Sequence, residues 1–326
     1  MKKGLHFLAA ILSCALVMFS SCSDDDDQLK ELEKDQVNTM TIDATAHNKW
    51  VYVNLTDGSN KSEVIDPVGG TYNGDVNIVV AGKDQGDIKD LKLKISRINK
   101  DSVNIVLKDL AFGKMKIDSV TSGAKVVIDS INGGLGYKLV GGKVSTEVGG
   151  MTILASSNGH VIGKNIDIKI NVTPGKMPMP ILATYKGTIE TGTIDETSFD
   201  WDIAFHRWDV KTNGGSVLET VESELENLKD IPASGYVEDV ETSELIIDNS
   251  LMMQGKVGYA TDHVNKELGK WMNLDLSNMP PSYTPSNKVY VLKTTKGKFV
   301  KIKVTDYTDD SGNKGHITFD YVFPSK

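Results

Sequence analysis

Residues 165–172 read Asn165-Ile166-Asp167-Ile168-Lys169-Ile170-Asn171-Val172. Every second residue is β-branched and apolar, and the residues between are polar or charged. A two-residue period belongs to an extended strand with one dry face and one wet face, not to a helix. The same alternation recurs along the chain. Val51, Val53 and Leu55 alternate with Tyr52 and Asn54, and Leu91, Leu93 and Ile95 with Lys92 and Lys94. Val300, Ile302 and Val304 alternate with Lys301 and Lys303, and Ile317, Phe319, Tyr321 and Phe323 with Thr318 and Asp320. Thirty glycines, many in Asn-Gly, Asp-Gly or Gly-Gly pairs, supply turns between such strands. The expectation is an all-β chain of barrels or sandwiches. One segment departs from it. In 216–230, Val217, Leu218, Val221, Leu225 and Leu228 share a helical face, which predicts a short amphipathic helix covering the core.

The N-terminus sets the compartment. Lys2 and Lys3 precede a mostly apolar run from Leu5 to Phe19, the length of a signal h-region and short for a membrane span. The run ends in Phe19-Ser20-Ser21-Cys22, which resembles a lipobox with Phe in place of the usual Leu. Ser23-Asp24-Asp25-Asp26-Asp27 follows and resembles the acidic export signal of surface lipoproteins in Bacteroidetes. The expectation is a signal peptide over 1–21, lipidation of Cys22 and an acidic tether over 22–40. The chain is then held by its lipid alone at the outer membrane, exposed on the cell surface. Cys14 leaves with the signal peptide, so Cys22 is the one cysteine of the mature chain, and neither a disulfide nor a cysteine zinc site is possible. Loss of Lys2 and Lys3 takes the net charge from −8 to −10. With no cluster of Lys and Arg to meet phosphates, nucleic acid is excluded as a partner.

The stretch 67–189 has no Trp and is rich in Gly, Lys and short aliphatic strands. It opens with Gly70-Thr71-Tyr72-Asn73-Gly74 and closes with Ala183-Thr184-Tyr185-Lys186-Gly187-Thr188. It resembles the small calycin-like β-barrel domain of Bacteroides lipoproteins. The resemblance implies a closed antiparallel barrel with the two Thr-Tyr-x-Gly segments as adjacent first and last strands. That places the points where the chain enters and leaves side by side, as an inserted domain requires.

The flanks, 41–66 and 190–326, carry a different set of motifs. They are Thr41-Ile42-Asp43-Ala44, Trp50-Val51-Tyr52, Trp201-Asp202-Ile203-Ala204-Phe205-His206-Arg207, Asn213-Gly214-Gly215 and Pro232-Ala233-Ser234-Gly235-Tyr236. Trp271, Tyr283-Thr284-Pro285 and Gly315-His316-Ile317-Thr318-Phe319-Asp320-Tyr321 follow. In this order they resemble the HmuY family of surface haemophores, here as a discontinuous domain interrupted by the barrel.

The resemblance implies haem as cargo, gripped between two two-stranded β projections that each give one axial ligand, and an outer-membrane TonB-dependent receptor as partner. The matching loops are 248–256 and 272–283. Neither carries His where the family's His form does; Leu276 stands at the second such position. The loops hold Met252, Met253, Met272 and Met279 instead. A neutral, soft thioether suits reduced iron, so the expected iron ligands are Met252 and Met279. Met253 points to the opposite side if the segment is extended, and His263 is the reserve donor. Trp271, Tyr259 and Tyr283 line the ring slot or fill the core. His206 and His316 are expected to be structural. Asp306-Tyr307-Thr308-Asp309-Asp310-Ser311-Gly312 lacks the closing Glu of a calcium loop and reads as a hairpin turn. No G-x-S-x-G, H-E-x-x-H or P-loop occurs, so the chain is expected to bind rather than catalyse. The competing expectation is a surface lipoprotein that takes a glycan, lipid or protein through the barrel.

Overall fold

A computed structural model describes residues 36–131, 134–148, 150–175, 179–275, 277 and 280–324. The expected signal peptide, Cys22, most of the expected tether, Leu276 and Met279 lie outside the described residues. Within them are 23 strands, three short 3₁₀ turns and no α-helix. No helix among the described residues is long and apolar enough to cross a membrane.

The strand Asn165–Pro174 shows why the chain is β. Ile166, Ile168, Ile170 and Val172 are at most 3% exposed, and the residues between them reach solvent. The same strand closes a barrel. It pairs with Ile181–Thr191, and the ladder continues through Gly70–Val80, Lys83–Asn99, Ser102–Phe112, Met115–Ile131, Gly134–Gly142 and Met151–Ile162. Met151–Ile162 then pairs back onto Asn165–Pro174, so eight of the nine strands form a closed antiparallel ring. The ninth, Val144–Val148, extends the ladder on Met151–Ile162. Closure leaves the ring without a free edge. The interior is filled by its own side chains, among them Ile78, Leu93, Ile105, Leu107, Leu139 and Ile168, all fully buried.

The two Thr-Tyr-x-Gly segments lie side by side as first and last strands, with Thr71 opposite Thr191. Their glycines face each other, Gly74 opposite Gly187. A Cβ on Gly74 would stand 2.1 Å from the Lys186 carbonyl oxygen and 2.4 Å from Gly187 Cα. The ladder therefore tolerates no side chain there. Gly74→Val is expected to lower stability by about 1–3 kcal/mol. A fall in urea midpoint with little change in slope checks it.

The flanks rejoin around the barrel. The N-terminal strand Asn38–Asp43 pairs with the C-terminal strand Lys314–Val322, in a six-stranded sheet continued by Phe299–Thr308, Tyr290–Lys293, Ser216–Glu219 and Val237–Glu238. Lys49–Val53 pairs with Ile203–His206, so Val51-Tyr52-Val53 lies directly beside Ile203-Ala204-Phe205. Asp209–Thr212 and Asn60–Val64 complete that four-stranded sheet. Val53, Leu55, Phe205, Trp271, Tyr290, Ile302 and Phe319 form one core between the sheets. A second core includes the barrel interior and also takes Trp50, Tyr52, Trp201 and Ala204 from the flanks.

The helix expected over 216–230 is not present. Ser216–Glu219 is instead a strand on Tyr290–Lys293. The Thr220 N–H and hydroxyl both donate to the Val289 carbonyl, at 3.0 and 2.8 Å. Val221 is 85% exposed, while Leu225 and Leu228 are buried on Val289 and Val291. The apolar spacing was real, but pairing with a central sheet competes with helix formation and wins here.

Candidate functional site

Two hairpins stand apart from the larger sheets. Val240–Asp248 pairs with Gly258–Val264, and Met272–Asp275 pairs with Ser282–Pro285. Each pair forms a two-stranded sheet of its own. They fall on the two loops singled out from the sequence.

The first hairpin turns through a short 3₁₀ segment, Met252–Gln254. The Met252 N–H donates to the Asn249 carbonyl at 3.0 Å, and the Gly255 N–H to the Met252 carbonyl at 2.9 Å. Gly255 has φ 73°, the left-handed conformation that glycine adopts without strain. The tip is thus wound, not extended, and the alternation argument for sending Met252 and Met253 to opposite sides does not apply. In a 3₁₀ turn, neighbours diverge by about 120°. Met252 is 54% exposed and Met253 99% exposed. Two large apolar side chains held in water at the end of a hairpin contribute nothing to the core.

The second hairpin is rooted in aromatic packing. Tyr283 lies between Trp208 and Tyr307, with ring centroids 5.9 and 5.8 Å away. The Lys314 ammonium sits 4.2 Å from the Tyr283 ring centroid. Met272 packs against the same core from the partner strand, and Leu274 is exposed. Trp271 is fully buried, its indole N–H donating to the Trp208 carbonyl at 2.9 Å, so it is a core residue and not a slot wall.

The histidines separate in the same way. His206 is 1% exposed, bonds the His47 carbonyl through Nε2, and lies 3.4 Å from Asp209 through Nδ1. It is structural. His316 Nε2 approaches Asp309 at 3.6 Å. His263 is exposed opposite Glu241, near the open end of the first hairpin. Five strand positions separate it from Gly258, about 17 Å of chain, so it and Met252 are not brought together.

His263 instead borders a polar cavity of about 300 Å³ with Glu196, Trp201, Lys211, Asp239 and Asp262. Lys211 is 3% exposed in its side chain. Its ammonium donates to Glu196 Oε1 at 2.5 Å and Asp262 Oδ2 at 3.2 Å. It also lies 4.5 Å from the Trp50 ring and 5.1 Å from the Tyr52 ring. Trp50 Nε1 donates to the same Asp262 oxygen at 2.7 Å, and the Tyr52 hydroxyl to Glu196 Oε1 at 2.7 Å. Burial, and next the Glu196 charge, push the Tyr52 phenol well above its ordinary range. Burial likewise raises the Asp239 carboxyl, against the hydrogen bonds from Thr212 and Asn265 that lower it. Lys211 thus meets two carboxylates that also accept from Trp50 and Tyr52. The network joins the four-stranded sheet, the turn after the barrel and the first hairpin. Sequence reasoning missed it, because Lys211 meets partners 15 and 51 positions away and no local spacing marks them.

No group of three or more His, Cys, Asp or Glu arranged to hold a metal ion occurs among the described residues. The donors offered at the hairpin tip are thioethers, which fit an iron already held by a macrocycle better than a bare ion.

A family model described as HmuY protein matches residues 46–321, a span that includes both hairpins and the barrel. Similar solved structures include a proposed HmuY-like haem-binding protein of Bacteroides vulgatus, 24% identical, covering 89% of this chain and 93% of that one at a TM-score of 0.47. The apo HmuY analog of Tannerella forsythia is 20% identical, with 90% and 100% covered and a TM-score of 0.45. Apo PinO from Porphyromonas gingivitis is 20% identical, with 89% and 98% covered and a TM-score of 0.47. No curated protein matches.

Proposed function

The chain belongs to the HmuY family, and from that premise we propose that it is a lipid-anchored surface protein that binds haem for iron acquisition and performs no chemistry on it. The family match across both hairpins is the observation that carries this reading. The exposed methionines on the first tip support it, because solvent-facing thioethers serve a ligand better than a core. The residues that would hold haem are Met252 and Met279, one from each of the two loops. Haem is taken from outside the cell and passed to an outer-membrane TonB-dependent receptor. Acylated Cys22 and the acidic tether keep the chain at the cell surface, and the barrel is an inserted domain spanning 67–189. The filled interior of the barrel speaks against an internal ligand in place of haem.

A haem titration of residues 23–326, followed by visible absorption with and without dithionite, tests the reading. The expected result is a saturable one-to-one spectrum whose affinity rises on reduction, since thioethers favour ferrous iron. Saturation in neither oxidation state overturns it.

A further inference from the structure

The first hairpin is poorly equipped to hold its own shape. A lone two-stranded hairpin is marginal in water. This one also has two irregularities in register, between Thr242 and Leu245 and between Ile246 and Asp248. Yet Leu245, Ile247, Ala260 and Val264 are 2–8% exposed. The barrel supplies part of their cover: these residues belong to the same hydrophobic core as Tyr137, Leu139 and Val161, a core that also takes Trp50 and Trp201 from the flanks. Alternation along the strands turns Leu245 and Ala260 to the barrel and the paired Ile246 and Tyr259 to the other face.

The joint is specific as well as apolar. The Tyr137 hydroxyl, from barrel strand Gly134–Gly142, donates to the Tyr259 carbonyl at 2.9 Å. A Cβ on Gly258 would stand 2.9 Å from that hydroxyl and 3.3 Å from Ile128 Cδ1, so Gly258 allows the hairpin to seat. Lys164, in the turn between two barrel strands, pairs with Glu241 near the hairpin's open end. The second hairpin is rooted elsewhere, on Trp208 and Tyr307 of the flanks.

We propose that the barrel is a splint for the first hairpin, fixing the strands that present Met252 and Met253, with Tyr137 as the positioning residue at the joint. This rests on the haem reading for its consequence and on the contacts above for its mechanism. A hairpin free to rock would populate the gripping geometry only part of the time, and apparent affinity falls with that fraction.

The test uses Tyr137→Phe, which keeps the ring and removes the hydroxyl, and Gly258→Val, which pushes the strand off its seat. Amide hydrogen exchange over 240–264 is measured on the ligand-free protein, and haem affinity on the same samples. Loss of one net hydrogen bond should speed exchange across 258–262 by about three- to tenfold in Tyr137→Phe. Haem affinity should fall with the seated fraction, furthest in Gly258→Val, with the absorption spectrum of the complex unchanged because no ligand is lost. A merely structural role would lower the urea midpoint and leave haem affinity alone, and that outcome overturns the proposal. Unchanged exchange in both variants overturns it too. If the wild-type chain takes no haem, the haem reading fails, and the exchange result still decides whether the barrel splints the hairpin.

Discussion

Lys211→Met is expected to cost roughly 3 kcal/mol of folding stability, the low end of what removing one partner from a buried ion pair costs. The reason lies in what stays behind. Met has nearly the volume of Lys and would pack against Trp50 and Tyr52, so little of the loss comes from a cavity. Glu196 and Asp262 would be left with no cation between them. Their side chains are 38% and 26% exposed, and the water that reaches them moderates the cost. The surface pair Lys89–Asp75, 62% and 47% exposed, is the contrast: breaking it should leave the urea midpoint nearly unchanged. Urea denaturation of both variants checks the difference. Adding Glu196→Gln and Asp262→Asn to Lys211→Met should recover part of the loss, because a neutral set needs no counter-charge. A Lys211→Met chain as stable as the parent would mean that the carboxylates already find other partners.

The Lys211 network also marks where sequence reading stops. Strands were legible because alternation is a property of the backbone, and a residue such as Ile168 reports its own burial through its neighbours two positions away. The barrel's closure was legible for a local reason too, since Gly74 and Gly187 sit in matching motifs and the two motifs pair. The segment 216–230 misled because a strand end and a loop with two anchoring leucines can mimic a helical stripe by spacing alone. Nothing local could place Lys211, whose chemistry comes from three separate elements. Tyr137 was equally invisible, one tyrosine in a Gly-rich strand whose partner, Tyr259, lies 122 positions on. The two hairpins were therefore legible as two loops, but the first was not legible as a hairpin leaning on a barrel. Cutting out 67–189 would expose Leu245, Ile247 and Ala260 as well as remove the barrel, so single substitutions at the joint are the cleaner probe.

Met252→Ala combined with Met279→Ala is expected to weaken ferrous haem binding at least about 100-fold, since even groups that only support a metal's ligands are worth 10- to 100-fold. The single variants carry the assignment. If each sulfur holds one axial position, either substitution alone should change the absorption spectrum and not affinity only. Met253→Ala and His263→Ala serve as controls, expected to change affinity by less than about threefold, under 1 kcal/mol. The wound tip makes the Met253 control informative. Both neighbours are reachable from solvent, so a spectrum lost in Met253→Ala and kept in Met252→Ala would move the ligand by one residue without disturbing the rest of the site. Intact binding in the double variant would instead remove iron from the methionines altogether. Met252→His carries the argument one step further. Imidazole holds ferric iron better than a thioether does, so this variant should bind ferric haem more tightly than the parent and lose the parent's gain on reduction. A thioether that only filled space at the tip would show neither change.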